Sequence, residues 1–189
     1  AINPATYKNL PYDVMRDFAP ITQTHYVPNL ISVHPSMPAK NIRELISFAK
    51  LHPNEILYAS SGHGTNPHLV IELLAHMAQI KLMHIPYKGT LPGLMETIAG
   101  RTALIATSSM QLVLPNARAG KLRVLAISSL TRVPALPDIP AGSESGLTGY
   151  EAVQWTAMMA PAATPADILS KLQKEIVAIL RTNEIRDKL

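Results

Sequence analysis

Apolar residues recur along this chain at two spacings. In "SMPAKNIRELISFAKLHP", Ile42, Leu45, Ile46 and Ala49 fall at i, i+3, i+4 and i+7. That period puts them on one stripe of an amphipathic helix, which Pro53 ends. In "TPADILSKLQKEIVAILRTN" the same period runs through Ile168, Leu172, Ile176 and Ile179 or Leu180. It predicts a last helix capped by Thr164, started by Pro165 and burying that stripe. "NPHLVIELLAHMAQI" reads as a helix with Asn66 as N-cap and Pro67 at its first position. "TLPGLMETIAG" reads as a short helix from Thr90, and "MQLVLPNARAG" as one ending before Gly120.

Between these lie short apolar, β-branched runs bounded by turn residues. Residues 21–35, bent by Pro28 and stopped by Pro35, are β-rich, and "EILYASS", "KLMHIPYKG", "RTALIATSS", "KLRVLAISS" and "EAVQWTAMMAP" read as strands. Residues 1–20 read as irregular, and "LTRVPALPDIPAGSESGLTGY" as a long proline-punctuated connection. The order is β-α-β-α-β-α-β-α-β, then loop, strand and helix. It predicts an α/β fold with a mostly parallel sheet and right-handed crossovers.

Composition narrows the function classes. The 189 residues suffice for one ordinary domain or two small lobes, and 47% hydrophobic content supports a buried core. The net charge of +4 is scattered, with no basic run and little aromatic interleaving, so no nucleic-acid partner is expected. There is no cysteine, which excludes disulfides and cysteine-ligated metal. No run of 18 apolar residues is present, so no membrane-spanning helix is expected. "AINPATYKNL" has neither the basic nor the apolar region of a signal peptide. Such a chain is either not exported or has already lost its leader.

Ligands of parallel α/β sheets sit beyond the carboxyl ends of the strands, where loops and helix N-termini converge. "YASSGHGTNPHL", Tyr58 to Leu69, lies at such an end. Its Ser60, Ser61, Gly62, His63, Gly64, Thr65 and Asn66 lead into a helix whose N-terminus carries roughly half a positive charge. It is neither a phosphate loop ending in Gly-Lys-Ser/Thr nor a dinucleotide fingerprint, and it lacks the G-x-S-x-G order of a hydrolase elbow. On the residues alone, a capped turn and an anion-binding loop stand even. Tyr87 at a second strand end is a candidate wall of the cleft, and Lys88 a solvated charge. Thr107 and Ser108, with Ser109, end a third strand with hydroxyls suited to capping or ligand contact.

The seven histidines show no ligand spacing, so no metal is expected; His63 is kept as a donor to a ligand. Trp155, the one tryptophan, reads as core, and the eight methionines mostly as core filling.

The order of landmarks "AINPATYKNLPYDVMRDFAPIT", "LYASSGHGTNPHL", "HIPYKGT", "NARAGKLRVLAISS", "PALPDIPAGSESGLTGYEA" and "MMAPAATPADILSKLQKEI" resembles consecutive blocks of one family. That family is the tripartite tricarboxylate transporter substrate-binding proteins, also called Bug proteins, and the match runs from residue 1 to about 180.

The resemblance implies a non-enzymatic periplasmic receptor of the type II binding-protein fold, two-lobed with mixed, mostly parallel sheets and closing like a clamshell. It implies a small carboxylate ligand, integral membrane transporter subunits as partners, a monomer, and no cofactor. Carboxylates in that family are held mainly by backbone amides, hydroxyls and waters. Ser60 to Asn66 match its Gly-Ser-Ser-Gly-x-Gly-Thr segment with Ala59 at the first position.

The family's leading strand and Pro-Gly-Gly loop are not found here, and the C-terminal tail is short. The resemblance therefore implies an incomplete receptor, mainly its second lobe. Residues 1–25 would be a piece of lobe 1 and the hinge entry, 26–145 lobe 2, and 146–189 the return strand and helix of lobe 1. Many relatives carry Asp at the third strand end where this chain has Thr107 or Ser108. That favours a carboxylate ligand without an amine.

Two other readings compete. One is a serine-dependent hydrolase or transferase using Ser60 or Ser61 with His63 or His84 as base. The other is a ligand-sensing module feeding a two-component system.

Overall fold

The computed structural model describes Pro4 and residues 8–186, so the irregular stretch expected over residues 1–20 lies partly outside the described residues. Within it, a one-turn helix α1 (Val14–Asp17) is capped by Asp13, whose carboxylate accepts the Met15 and Arg16 amides. The chain then forms β1 (Phe18–Pro28), β2 (Leu30–Val33), α2 (Ile42–Leu51), β3 (Leu57–Ser60), α3 (Asn66–Ala78) and β4 (Met83–Pro86). It continues through α4 (Thr90–Ile98), β5 (Leu104–Thr107), α5 (Met110–Arg118), β6 (Arg123–Ile127) and a 3-10 turn (Gly142–Ser145). It closes with β7 (Val153–Pro161), α6 (Ala166–Leu180) and α7 (Asn183–Arg186).

Two compact units result. One comprises Pro28–Gln154; the other joins the residues up to Val27 with those from Trp155 onward. The two long strands β1 and β7 pair with each other in a two-stranded sheet.

The larger unit is built on a five-stranded sheet in the order β4-β3-β5-β2-β6. β3 is parallel to β4 and β5, whereas β2 is antiparallel to both β5 and β6. The mostly parallel sheet expected from strand–helix alternation thus has one reversed strand near its middle. Alternation fixes a parallel crossover only between strands that become neighbours. β2 follows β1 with no helix between them, and it inserts between two strands that a helix connects.

β2 and β5 are buried along their whole length, and their side chains feed two cores. Ile31, Val33, Leu104 and Ala106 pack with Leu45, Ile71 and Leu74 of α2 and α3. Leu30, Ile105 and Ile127 pack with Leu94 and Val113 of α4 and α5. This is the period-2 alternation of a strand covered on both faces. At α2, Asn41 caps the Glu44 amide and Glu44 reaches back to the Lys40 amide, with Ile42, Leu45 and Ala49 buried as the spacing predicts.

Several local expectations are corrected. Trp155 is 52% exposed, so it is not core. No residue of α6 is buried, and Ile168, Leu172 and Ile179 stand exposed. Apolar periodicity states that a face can be covered; it does not supply the cover. The α3 cap is Thr65 rather than Asn66, and the α6 cap is Pro165 rather than Thr164, a shift of one residue in each case.

Candidate functional site

The carboxyl ends of β3, β4 and β5 share one edge of the sheet, since β3 pairs in parallel with both of the others. The loop 61–65, Tyr87 and the pair Thr107–Ser108 therefore meet at that edge. The sequence proposed these residues together, and the topology is what gathers them.

The loop leaves β3 at Ser60 and turns through Gly62 (φ 126°) and Gly64 (φ 69°). Both angles lie where a Cβ is penalised, so glycine is required. Thr65 caps α3 in backbone conformation only: its hydroxyl donates to the Gly62 carbonyl at 2.7 Å, and no side chain caps the helix amides.

The amide donors of the loop are divided between internal bonds and open positions. Gly62 N–H donates to Ser60 Oγ at 3.0 Å, Gly64 N–H to His68 Nδ1 at 3.2 Å, and Thr65 N–H to the Gly62 carbonyl at 3.4 Å. Among the described residues, the amides of Ser61, His63 and Asn66 have no protein acceptor in this turn. Three donors and the N-terminal end of a 13-residue helix are thus available to an anion. Asn66 Oδ1 is buried and unpartnered beside them.

The hydroxyls fare differently. Ser60 is 1% exposed, and its Oγ accepts from Gly62 N–H and lies 2.5 Å from His84 Nε2. Thr107 is also 1% exposed, its Oγ1 accepting the Ser109 amide at 3.1 Å. Ser108 is partly exposed and donates to Gln154 Oε1 at 3.1 Å. The Tyr87 amide donates to the Ser60 carbonyl at 3.0 Å, which holds its ring against Gly93 of α4. A Cβ on Gly93 would lie 3.3 Å from Ala59 Cβ, so the helix approaches the end of β3 because position 93 is bare. Partial burial, and then Glu96, raise the Tyr87 hydroxyl above its ordinary pKa, so it stays a donor at neutral pH.

The sequence missed the histidine cluster beneath this loop. His63 on the loop, His68 in the first turn of α3 and His84 on β4 converge. The ring centroids lie 4.2 Å apart for His68–His84, 4.6 Å for His63–His84 and 5.5 Å for His63–His68. No spacing rule predicts this, because three elements contribute one residue each. The pairing that brings them together is that of β4 with β3, which sets His84 in register with Tyr58. Tyr58 stacks on His84 at 4.9 Å, and its hydroxyl donates to the Glu72 carboxylate one turn beyond His68. Burial, reinforced by His68 and His63, holds His84 down at about 4, and burial likewise lowers His68. Both are neutral at pH 7. His84 Nδ1 is buried without a partner.

The Ser60–His84 pair has the separation of a nucleophile and its base. The other parts of such a device do not accompany it: Ser60 is buried, and no carboxylate orients His84 through Nδ1. Among the described residues, no helix is long and apolar enough to cross a membrane.

The chain matches the model of the tripartite tricarboxylate transporter family receptor over residues 1–189. It is 33% identical over 187 residues to a protein of the tcbD-tcbE intergenic region in Pseudomonas sp. strain P51, covering 97% of this chain and 54% of that protein. It is 30% identical over 185 residues to BugT of Bordetella pertussis, covering 98% and 56%.

Among solved structures, Rpa4515 of R. palustris with adipate superposes with a TM-score of 0.83 at 34% identity, over 97% of this chain and 61% of that one. MatC of Rhodopseudomonas palustris with bound malate gives 0.81 at 26% identity, over 100% and 64%. The periplasmic binding protein BugD gives 0.81 at 32%, over 98% and 62%. The chain spans about half the length of the curated relatives it matches. A family match along its whole length, together with these superpositions, shows that this chain belongs to the tripartite tricarboxylate transporter receptor family.

Proposed function

We propose that this chain is the ligand-holding part of a periplasmic solute receptor that takes a small organic acid and delivers it to integral membrane transporter subunits. The observation that carries the reading is the open donor set of Ser61, His63 and Asn66 at the start of α3. A carboxylate has two oxygens and up to four acceptor sites, and amides at a helix N-terminus meet it with no mobile side chain to order. Ser61, Gly62, His63, Gly64, Thr65 and Asn66 form the seat, with Tyr87 and Ser108 at its rim. Ser60 and Thr107 are buried, and they act by holding the backbone of the loop and of the third strand end.

Adipate in Rpa4515 and malate in MatC are carboxylates bound by structurally similar proteins, which supports the ligand class. The test is calorimetry of the folded, ligand-free protein against malate, adipate and their neutral amides. Heat from the acids and none from the amides is expected. An equal response to both, or none to either, overturns the reading.

The hydrolase reading has one observation in its favour, the 2.5 Å Ser60–His84 contact. Turnover of simple esters by the parent, lost in Ser60→Ala, would carry it. An inert parent disposes of it.

A further inference from the structure

We propose that His63, His68 and His84 form a binding site for a divalent transition-metal ion, zinc being the natural occupant, with a fourth coordination position open. One ring nitrogen of each lies within 4.8 Å of those of the other two. This site shares His63 and its loop with the carboxylate seat but uses different atoms: it uses imidazole side chains, whereas the seat uses backbone donors.

Three imidazoles from three different elements are a recurrent zinc, nickel or copper donor set, and three protein ligands leave a position for water or an oxygen ligand. A zinc ion holds nitrogens at about 2.1 Å, hence about 3.4 Å from one another in tetrahedral geometry. The rings must therefore draw together by about 1 Å or somewhat more. His63 can supply its share of that movement, because its ring is exposed and its backbone lies between Gly62 and Gly64, and the tilted His68 and His84 rings must turn toward the ion as well.

His84 supplies the second observation. Its Nε2 is engaged by Ser60, and its Nδ1 is buried with no acceptor or donor to meet it. When Nε2–H donates to Ser60 Oγ, Nδ1 carries a lone pair with nothing to bind. A buried polar atom in that state calls for a partner such as an ordered water or a bound ion, and at His84 two further imidazoles lie beside it. The contact with Ser60 then plays the part that second-shell partners play at metal sites, fixing tautomer and ring orientation. His68 binds by exchanging the long 3.2 Å bond from Gly64 N–H for the metal. Glu72, which bonds Tyr58 and faces His68 electrostatically, offsets part of the added positive charge.

The test uses the full 189-residue chain without a histidine tag. Zinc is titrated in competition with a chromophoric chelator, and cobalt(II) is titrated with its visible absorption recorded. One equivalent of zinc and the intense visible bands of low-symmetry four-coordinate cobalt are expected. His63→Ala, on the exposed loop, should fold as the parent does and weaken zinc binding at least about tenfold. His84→Gln should lose the cobalt spectrum, and His52→Ala should change neither readout. Zinc binding unaffected by His63→Ala, or no binding above the level of the folded His63→Ala variant, overturns the proposal. Because no organic acid is present, failure here leaves the carboxylate reading standing, and failure there leaves this one.

Discussion

Ser60 Oγ sits 2.5 Å from His84 Nε2 and accepts the Gly62 amide at 3.0 Å, so one buried hydroxyl ties the end of β3 to both the edge strand β4 and the loop. Ser60→Ala leaves the His84 nitrogen and the Gly62 N–H without that partner. Loss of such bonds in a buried setting costs about 1–3 kcal/mol. Urea denaturation should show this as a lower midpoint at unchanged slope. An unaltered midpoint would mean that the hydroxyl holds nothing.

At the helix start, stability and ligand affinity should part. Asn66→Asp places a carboxylate in the first turn of α3, where the helix macrodipole favours it by about 0.3–1 kcal/mol. The same charge repels an anion seated on the Ser61, His63 and Asn66 amides. Burial of the Asn66 side-chain oxygen offsets part or all of that gain, so the variant's melting point reports the balance, while organic acids should bind at least about tenfold more weakly, a loss of about 1.4 kcal/mol. Undiminished affinity would remove the seat from this loop.

Tyr150 is fully buried, and its hydroxyl donates to the Val70 carbonyl at 2.9 Å, tying the connection after the 3-10 turn to α3. Tyr150→Phe should cost about 1–2 kcal/mol. Gly142→Ala should cost about 1–3 kcal/mol by overpacking, since a Cβ there would lie 2.4 Å from Tyr150 Cδ1. Gly149→Ala adds a Cβ with nothing within 4 Å, so it reports backbone strain alone (φ 79°). Differential scanning of the three variants separates these terms, and a Gly142→Ala protein as stable as the parent would contradict the close approach.

Asp17 should titrate far below an ordinary carboxylate. The Arg16 side chain and then the Asp13 amide hold it at about 2 instead of 3.8. The folded value lies below the unfolded one. Its contribution to stability is therefore complete above 3.8 and is lost as pH falls through about 2. Solvent exposure keeps that contribution small. Carboxyl-carbon NMR should show a midpoint near 2 in the parent and a rise toward 3.8 in Arg16→Gln. An ordinary midpoint in the parent would rule the pairing out.

Elements governed by neighbours along the chain were legible in the sequence. The α2 stripe, the strand at "LYAS" and the glycines of the loop each follow from local geometry that a few residues fix. Residues whose fate depends on distant segments were misjudged. Trp155 and the α6 stripe carry core-like patterns yet lie exposed, because burial depends on what arrives from elsewhere. Ser60 reads as part of the ligand loop, and His84 of the adjacent strand engages its hydroxyl instead.

By itself the sequence determined the α/β succession, the glycine-dependent turn into α3 and the family, since these rest on local propensity and on the linear order of motifs. Tertiary structure alone decided that β2 runs against its neighbours, that Ser60 meets His84 across the sheet, and that His63, His68 and His84 meet. The reason is physical: strand pairing and side-chain convergence are set by contacts between residues far apart in the chain, which no spacing along it records.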